Sequence, residues 1–181
     1  TDPYAAGFYY ADKAVVIPEG ISPEFSDSIL EICRRDNVDA IIPLVDEELL
    51  KISEIEGQYG IKVILPNKNF IKNCIDKYIL IKRFEDAGLP YLKTKLSSED
   101  VSEFDFPVIV KPRIGRGGRG VEVVYSREEL NEILKGTDLE RLIVQEYIDG
   151  PEYTISVVVW RDGDVQAVVP KEIISKKGVT R

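Results

Sequence analysis

The sequence predicts an α/β protein in two parts. A parallel α/β part comes first, an α+β part built on an antiparallel sheet follows, and the whole is incomplete at both ends. Three observations predict this. Short β-branched runs alternate with helix-patterned stretches as far as Pro66. After a polar linker over residues 97–105, strand-like runs follow one another at hairpin spacing. Finally, the chain contains no methionine, opens on Thr1-Asp2-Pro3 and closes on Gly178-Val179-Thr180-Arg181, so an internal piece of a longer polypeptide is expected.

In the first part, Asp2 to Gly7 reads as a turn and Ala14 to Ile17 as a strand stopped by Pro18. Ser22 is placed to cap a helix running to Arg35, with Phe25, Ile29, Ile32 and Cys33 on one face. Asp39 to Pro43 is a second strand. Asp46 caps a helix to about Tyr59 that buries Leu49, Ile52 and Ile55, and Gly57 and Gly60 weaken its end. Ile61 to Leu65 is a third strand, giving a three-stranded parallel sheet.

A short helix is expected from Asn67 to Ile75, and another from Asp76 to Ala87, closed by Gly88-Leu89-Pro90. Asp76 as N-cap puts Lys77 in the first turn, where a cation opposes the helix dipole. A ligand facing Lys77 would account for that, and so would plain solvation of a surface lysine. Tyr91 to Lys95 reads as a strand. Ser126, with Glu129 three residues on, forms a capping box for a helix to about Lys135. Arg141 to Val144 and Tyr153 to Trp160 are strands, and Arg161-Asp162-Gly163-Asp164 turns into Val165 to Pro170.

The stretch with most chemical content is Phe106 to Gly120, FPVIVKPRIGRGGRG. Val108-Ile109-Val110 is a buried strand, Lys111 closes it, and a loop with Gly115, Gly117, Gly118 and Gly120 leads to a second strand at Val121 to Val124. Glycines permit close approach and positive φ, so bare amides can cradle oxyanions, while a lysine reaches a phosphate as a point charge. The spacing fits G-x-G-x-x-G, but a strand follows where the dinucleotide fingerprint needs a helix. The P-loop pattern fails because Val121 follows Gly120. Arg116 to Gly120 matches one RGG element, which a single copy on an acidic chain supports poorly. A glycine-rich hairpin with no ligand also accounts for the loop taken alone.

With 44% hydrophobic and 31% charged residues, the 181-residue chain has the balance of a globular protein. Its net charge of −8 argues against nucleic-acid or anionic-membrane partners. No run is long and apolar enough for a membrane span. With no histidine, imidazole metal sites and His-based triads are excluded. Cys33 and Cys74 read as free thiols, which suits a cytoplasmic protein.

The combination in order carries a resemblance. Asp76-Lys77 opens a helix ending in Gly88-Leu89-Pro90, Val108 to Pro112 precedes the glycine flap, and Val144-Gln145-Glu146-Tyr147-Ile148 precedes Gly150-Pro151-Glu152. This resembles the ATP-grasp superfamily, most of all proteins like the large subunit of carbamoyl-phosphate synthetase. The resemblance implies a partial, Rossmann-like pre-ATP-grasp domain over residues 1–66 and a partial ATP-grasp domain over residues 67–181. It implies ATP as the nucleotide, with Lys77 and Lys111 on its phosphates and Gly115, Gly117, Gly118 and Gly120 in the flap over the triphosphate. Glu146 would face the adenine amino group, with backbone groups of Tyr147 and Ile148 bonding the base and Glu152 holding the ribose hydroxyls. Strand-surface acids are the alternative for Glu146 and Glu152. An apolar Ile148 suits a purine face, and a carboxylate suits two hydroxyl donors.

The implied reaction is an ATP-dependent ligation of a small carboxylate to an amine through an acyl phosphate. Magnesium is expected in the full-length protein, because phosphoryl transfer needs a metal. Its ligands, acids and an asparagine in later strands, are absent from this chain, so the piece alone is expected to be inactive or nearly so. The competing expectation is a nucleotide-binding module completed by a second polypeptide. A homo-oligomer stays open, as do phosphate, substrate or solvent as the surroundings of Lys171 and Arg181.

Overall fold

The structure is a computed structural model describing residues 2–160, 162–174, 176–177 and 179–180. It divides into two compact units, Thr1–Asp76 and Lys77–Arg181.

In the first unit, α1 (Phe25–Asp36) starts two residues later than expected. Ser22 instead closes a turn, its Oγ accepting from the Glu24 N–H at 3.3 Å, and Glu24 takes the N-cap position. Asn37 ends the helix in the left-handed region at φ 51. α2 (Asp46–Glu54) also stops short of Tyr59, because Gly57 turns left-handed at φ 78 and a 3-10 turn, Gln58–Gly60, follows. The sheet is parallel but has two strands, β1 (Ala40–Ile41) and β2 (Lys62–Val63), with Ala40 opposite Lys62. The expected strand Ala14 to Ile17 is not one. Ile17 packs against the core by its side chain, while Val16 is half-exposed and Pro18 has no N–H to give a ladder. Phe25, Ile52 and Ile55 are the buried centre of this unit.

The sequence predicts free thiols at Cys33 and Cys74, and both are free. Cys33 lies on the inner face of α1 at 6% exposure, and its thiol pKa is raised, first by burial and then by the Asp36 carboxylate. Since the thiolate is the nucleophile, iodoacetamide at neutral pH is expected to leave Cys33 unmodified until denaturant is added. Peptide mapping that found it alkylated in the native protein would contradict this placement.

α3 (Lys68–Ile75) closes the first unit, with Asn67 as its N-cap accepting from the Asn69 N–H at 2.8 Å.

In the second unit, α4 (Lys77–Asp86) ends in a left-handed Gly88 at φ 65, and the Leu89 N–H returns to the Phe84 carbonyl at 2.9 Å. The strands are β3 (Thr94–Leu96), β4 (Val108–Pro112), β5 (Glu122–Val124) and β6 (Leu142–Glu146). They form one antiparallel sheet in the order β3-β6-β4-β5. α5 (Arg127–Leu134) is capped as its sequence predicts: Ser126 Oγ accepts from the Glu129 N–H at 3.2 Å, and Glu129 reaches back to the Tyr125 N–H at 2.8 Å. Leu130 joins Phe104, Val108, Val110, Val124 and Val144 in the core.

The linker over residues 97–105 is not a free tether. Phe104 is buried, and the Arg127 guanidinium donates to the carbonyls of Val101 and Ser102. A long hairpin completes the unit, β7 (Tyr153–Val159) against β8 (Val165–Glu172), both exposed along their length. Lys171 lies on β8 opposite Thr154, and Arg181 lies outside the described residues. No helix among the described residues is long and apolar enough to cross a membrane.

Candidate functional site

A cleft of about 710 Å³ opens in the second unit, over the sheet and under the glycine loop. Each expected site residue can be placed relative to it. Lys77, Lys111, Gly115, Gly117, Gly118, Glu146, Tyr147, Ile148 and Glu152 line it, together with Arg116, Arg119 and Gln145. Gly120 does not line it. A Cβ added to Gly120 would meet Pro112 Cγ at 3.1 Å.

The loop between β4 and β5 gets its shape from the glycines. Gly117, Gly118 and Gly120 hold φ near 70°, at 68, 70 and 67, where L side chains are strained. Its root is pinned by the Arg113 N–H on the Arg141 carbonyl at 2.8 Å and by the Arg113 carbonyl accepting the Lys77 N–H at 3.1 Å. The Arg113 guanidinium also lies 5.5 Å over the Tyr78 ring. The first turn of α4 is therefore fastened to the loop root. Lys77 Nζ extends this by donating to the Gly115 carbonyl at 2.7 Å. The unfavourable first-turn lysine thus has a partner in the loop.

Lys111 leaves the end of β4, where its backbone is paired with Ile143 of β6. Its Nζ donates to Gln145 Oε1 at 2.7 Å. Gln145 is the residue the sequence reading missed. Strand β6 was expected to stop at Val144, yet it runs on to Glu146, and Gln145 is buried in the middle of the sheet. A polar residue facing inward at a strand end was the available signal, but its partners lie 34 and 51 residues away.

Beyond β6 the chain turns along the cleft. The Glu146 carboxylate borders it, but Oε1 accepts the Lys93 N–H at 2.6 Å, while the Glu146 N–H donates to the Lys93 carbonyl at 3.0 Å. One oxygen of Glu146 thus fastens the chain just before β3. Tyr147 and Ile148 are exposed, and Glu152 stands just before β7. The cleft combines two lysines and a glycine loop with an apolar segment and an acid. That suits an elongated ligand with an anionic end, an apolar body and hydroxyl groups between.

A magnesium site does not fit what is here: among the described residues no group of three or more His, Cys, Asp or Glu side chains comes together.

Residues 74–180 match the family model of the ATP-grasp domain, more than half of the chain, and the chain belongs to that family. Residues 1–64 match the PylC-like N-terminal domain. Among curated proteins, the carbamoyl phosphate synthase large chain of Thermotoga neapolitana is 28% identical over an alignment of 173 residues, and the match covers 81% of this chain and 15% of that one. Among solved structures, N5-carboxyaminoimidazole ribonucleotide synthetase from Thermus thermophilus superposes with a TM-score of 0.69 at 19% identity, covering 92% of this chain and 45% of that one. The biotin carboxylase domain of Hydrogenobacter thermophilus 2-oxoglutarate carboxylase, solved with MgADP, ADP and bicarbonate, gives 0.67 at 25% identity, covering 87% and 40%. The chain therefore spans less than half the length of each of these proteins.

Proposed function

We propose that this chain is the ATP-holding part of an ATP-dependent carboxylate–amine ligase, similar to carbamoyl-phosphate synthetase. Residues 1–66 are read as a partial pre-ATP-grasp domain and residues 67–181 as a partial ATP-grasp domain. The observation that carries the reading is one cleft lined by Lys77, Lys111, the glycine loop, Tyr147, Ile148 and Glu152. Lys111 and Lys77 hold phosphate oxygens, the loop amides cover the triphosphate, Ile148 covers a purine face, and Glu152 accepts from ribose hydroxyls. Glu146 bounds the adenine end, with the oxygen not held by Lys93 as its ligand acceptor. In the ligation, a substrate carboxylate takes the γ-phosphoryl group and releases ADP. An amine then displaces phosphate from the acyl phosphate. These residues bind and orient the nucleotide for that transfer. Magnesium belongs to the proposed reaction, but no group of three or more candidate ligands comes together among the described residues.

Titration calorimetry of the intact protein with ATP and with 2′-deoxy-ATP tests the reading. Glu152→Ala is expected to weaken ATP about fivefold, the worth of one hydrogen bond near 1 kcal/mol. The same change should hurt 2′-deoxy-ATP less, since one partner hydroxyl is already gone. Equal losses for both nucleotides would remove Glu152 from the ribose, and absence of saturable ATP binding would end the proposal. A panel of small carboxylates and amines should then stimulate ADP release. ATP binding with no ADP release from any pair would favour a nucleotide-binding module completed by a second polypeptide.

A further inference from the structure

We infer that Gln145 is the positioning residue of Lys111, holding its ammonium at the phosphate end of the cleft without neutralising it. The inference rests on the proposed reading of Lys111 as a phosphate ligand.

Gln145 lies on the middle strand β6, with Thr94 of β3 opposite it on one side and Ile109 of β4 on the other. Its side chain is enclosed, with the residue only 4% exposed, and both ends of the amide are used. Nε2 donates to Thr94 Oγ1 at 2.7 Å, and Oε1 accepts from Lys111 Nζ at 2.7 Å. The Thr94 hydroxyl in turn donates to the Leu92 carbonyl at 2.8 Å. This last bond fixes the direction of the whole chain. A hydroxyl has one proton, and here it is spent on Leu92, so Oγ1 can only accept from Gln145. The amide nitrogen must therefore face Thr94, and the amide oxygen must face Lys111. The orientation follows from donor and acceptor supply, and the ammonium is tied through it to the interior of the sheet.

Two consequences bear on binding. A lysine stem has many rotamers, and one held before the ligand arrives loses less freedom on binding. A neutral amide also brings no opposing charge of its own to the lysine. A carboxylate in its place would be a buried anion against Nζ, competing with phosphate for the same ammonium.

The test is a double-mutant cycle on the intact protein, with ATP affinity read by calorimetry. Circular dichroism checks the fold of each variant. Gln145→Leu removes the acceptor and is expected to weaken ATP about three- to tenfold. Gln145→Glu keeps the shape, and so remains informative where the leucine variant fails to fold. It is expected to weaken ATP about tenfold or more, because it supplies a competing charge. In a Lys111→Ala background, either change should shift the affinity by about twofold or less, since the residue acts through the lysine. Full losses in that background would make Gln145 a merely structural residue and overturn the inference. Wild-type affinity in folded Gln145 variants, with Lys111→Ala weak, would overturn it too while leaving the phosphate reading intact. Wild-type affinity in Lys111→Ala would remove the phosphate reading, and this inference with it.

Discussion

Lys111→Ala is expected to weaken ATP more than any other single replacement in the chain. A charge-assisted hydrogen bond in a partly closed cleft is worth roughly 1.5–3 kcal/mol, which is on the order of tenfold to somewhat over a hundredfold in dissociation constant. Two features place Lys111 above Lys77. Its backbone is locked in β4 opposite Ile143, and its ammonium is already bound to a buried amide. Lys77 stands in the first turn of α4, and its Nζ rests on the carbonyl of Gly115 in the exposed glycine loop rather than on a buried group. Calorimetry on Lys111→Ala and Lys77→Ala checks the order of the two. A Lys77→Ala variant that bound ATP more weakly than Lys111→Ala would reverse it.

The second large effect is on stability. Leu130 is fully buried where α5 packs against the sheet, among Phe104, Val108, Val110, Val124 and Val144. Leu130→Ala removes buried methyl groups and leaves a cavity, a loss of about 2–5 kcal/mol. Urea denaturation followed by circular dichroism should show the midpoint of the second unit's transition moving down with its slope unchanged. An unchanged midpoint would mean that α5 can collapse onto the sheet. Phe25→Ala, equally buried but in the first unit, is the matched control and should leave that transition in place.

Much of this architecture was legible from local signals. Asn67 and Ser126 cap helices where their side chains predict it, and Gly88 ends α4. The β4 and β5 strands pair antiparallel across the glycine loop as their spacing demands. What stayed hidden depends on distant partners. Ala14 to Ile17 has strand composition, but no neighbouring ladder takes it up. Phe104 sits in a stretch whose polar composition conceals one core residue. For the cleft, the glycines and lysines announce themselves. The bond from Glu146 to the Lys93 amide and the chain through Gln145 and Thr94 do not, because each joins residues more than fifty positions apart.

The position of β6 between β3 and β4 has a consequence for how the second unit is made. It is the last of the four strands to emerge from the ribosome, yet it occupies an interior place in the sheet. Until β6 has been synthesised, β3 has no strand to pair with, and β4 has only β5. Loop closure over this distance must be paid for before any contact rewards it, so the unit's topology favours late and slow folding. The same event that completes the sheet brings Gln145 to Lys111. A nascent chain therefore sets the Lys111 ammonium and completes its sheet in one step, and a release before β6 yields neither.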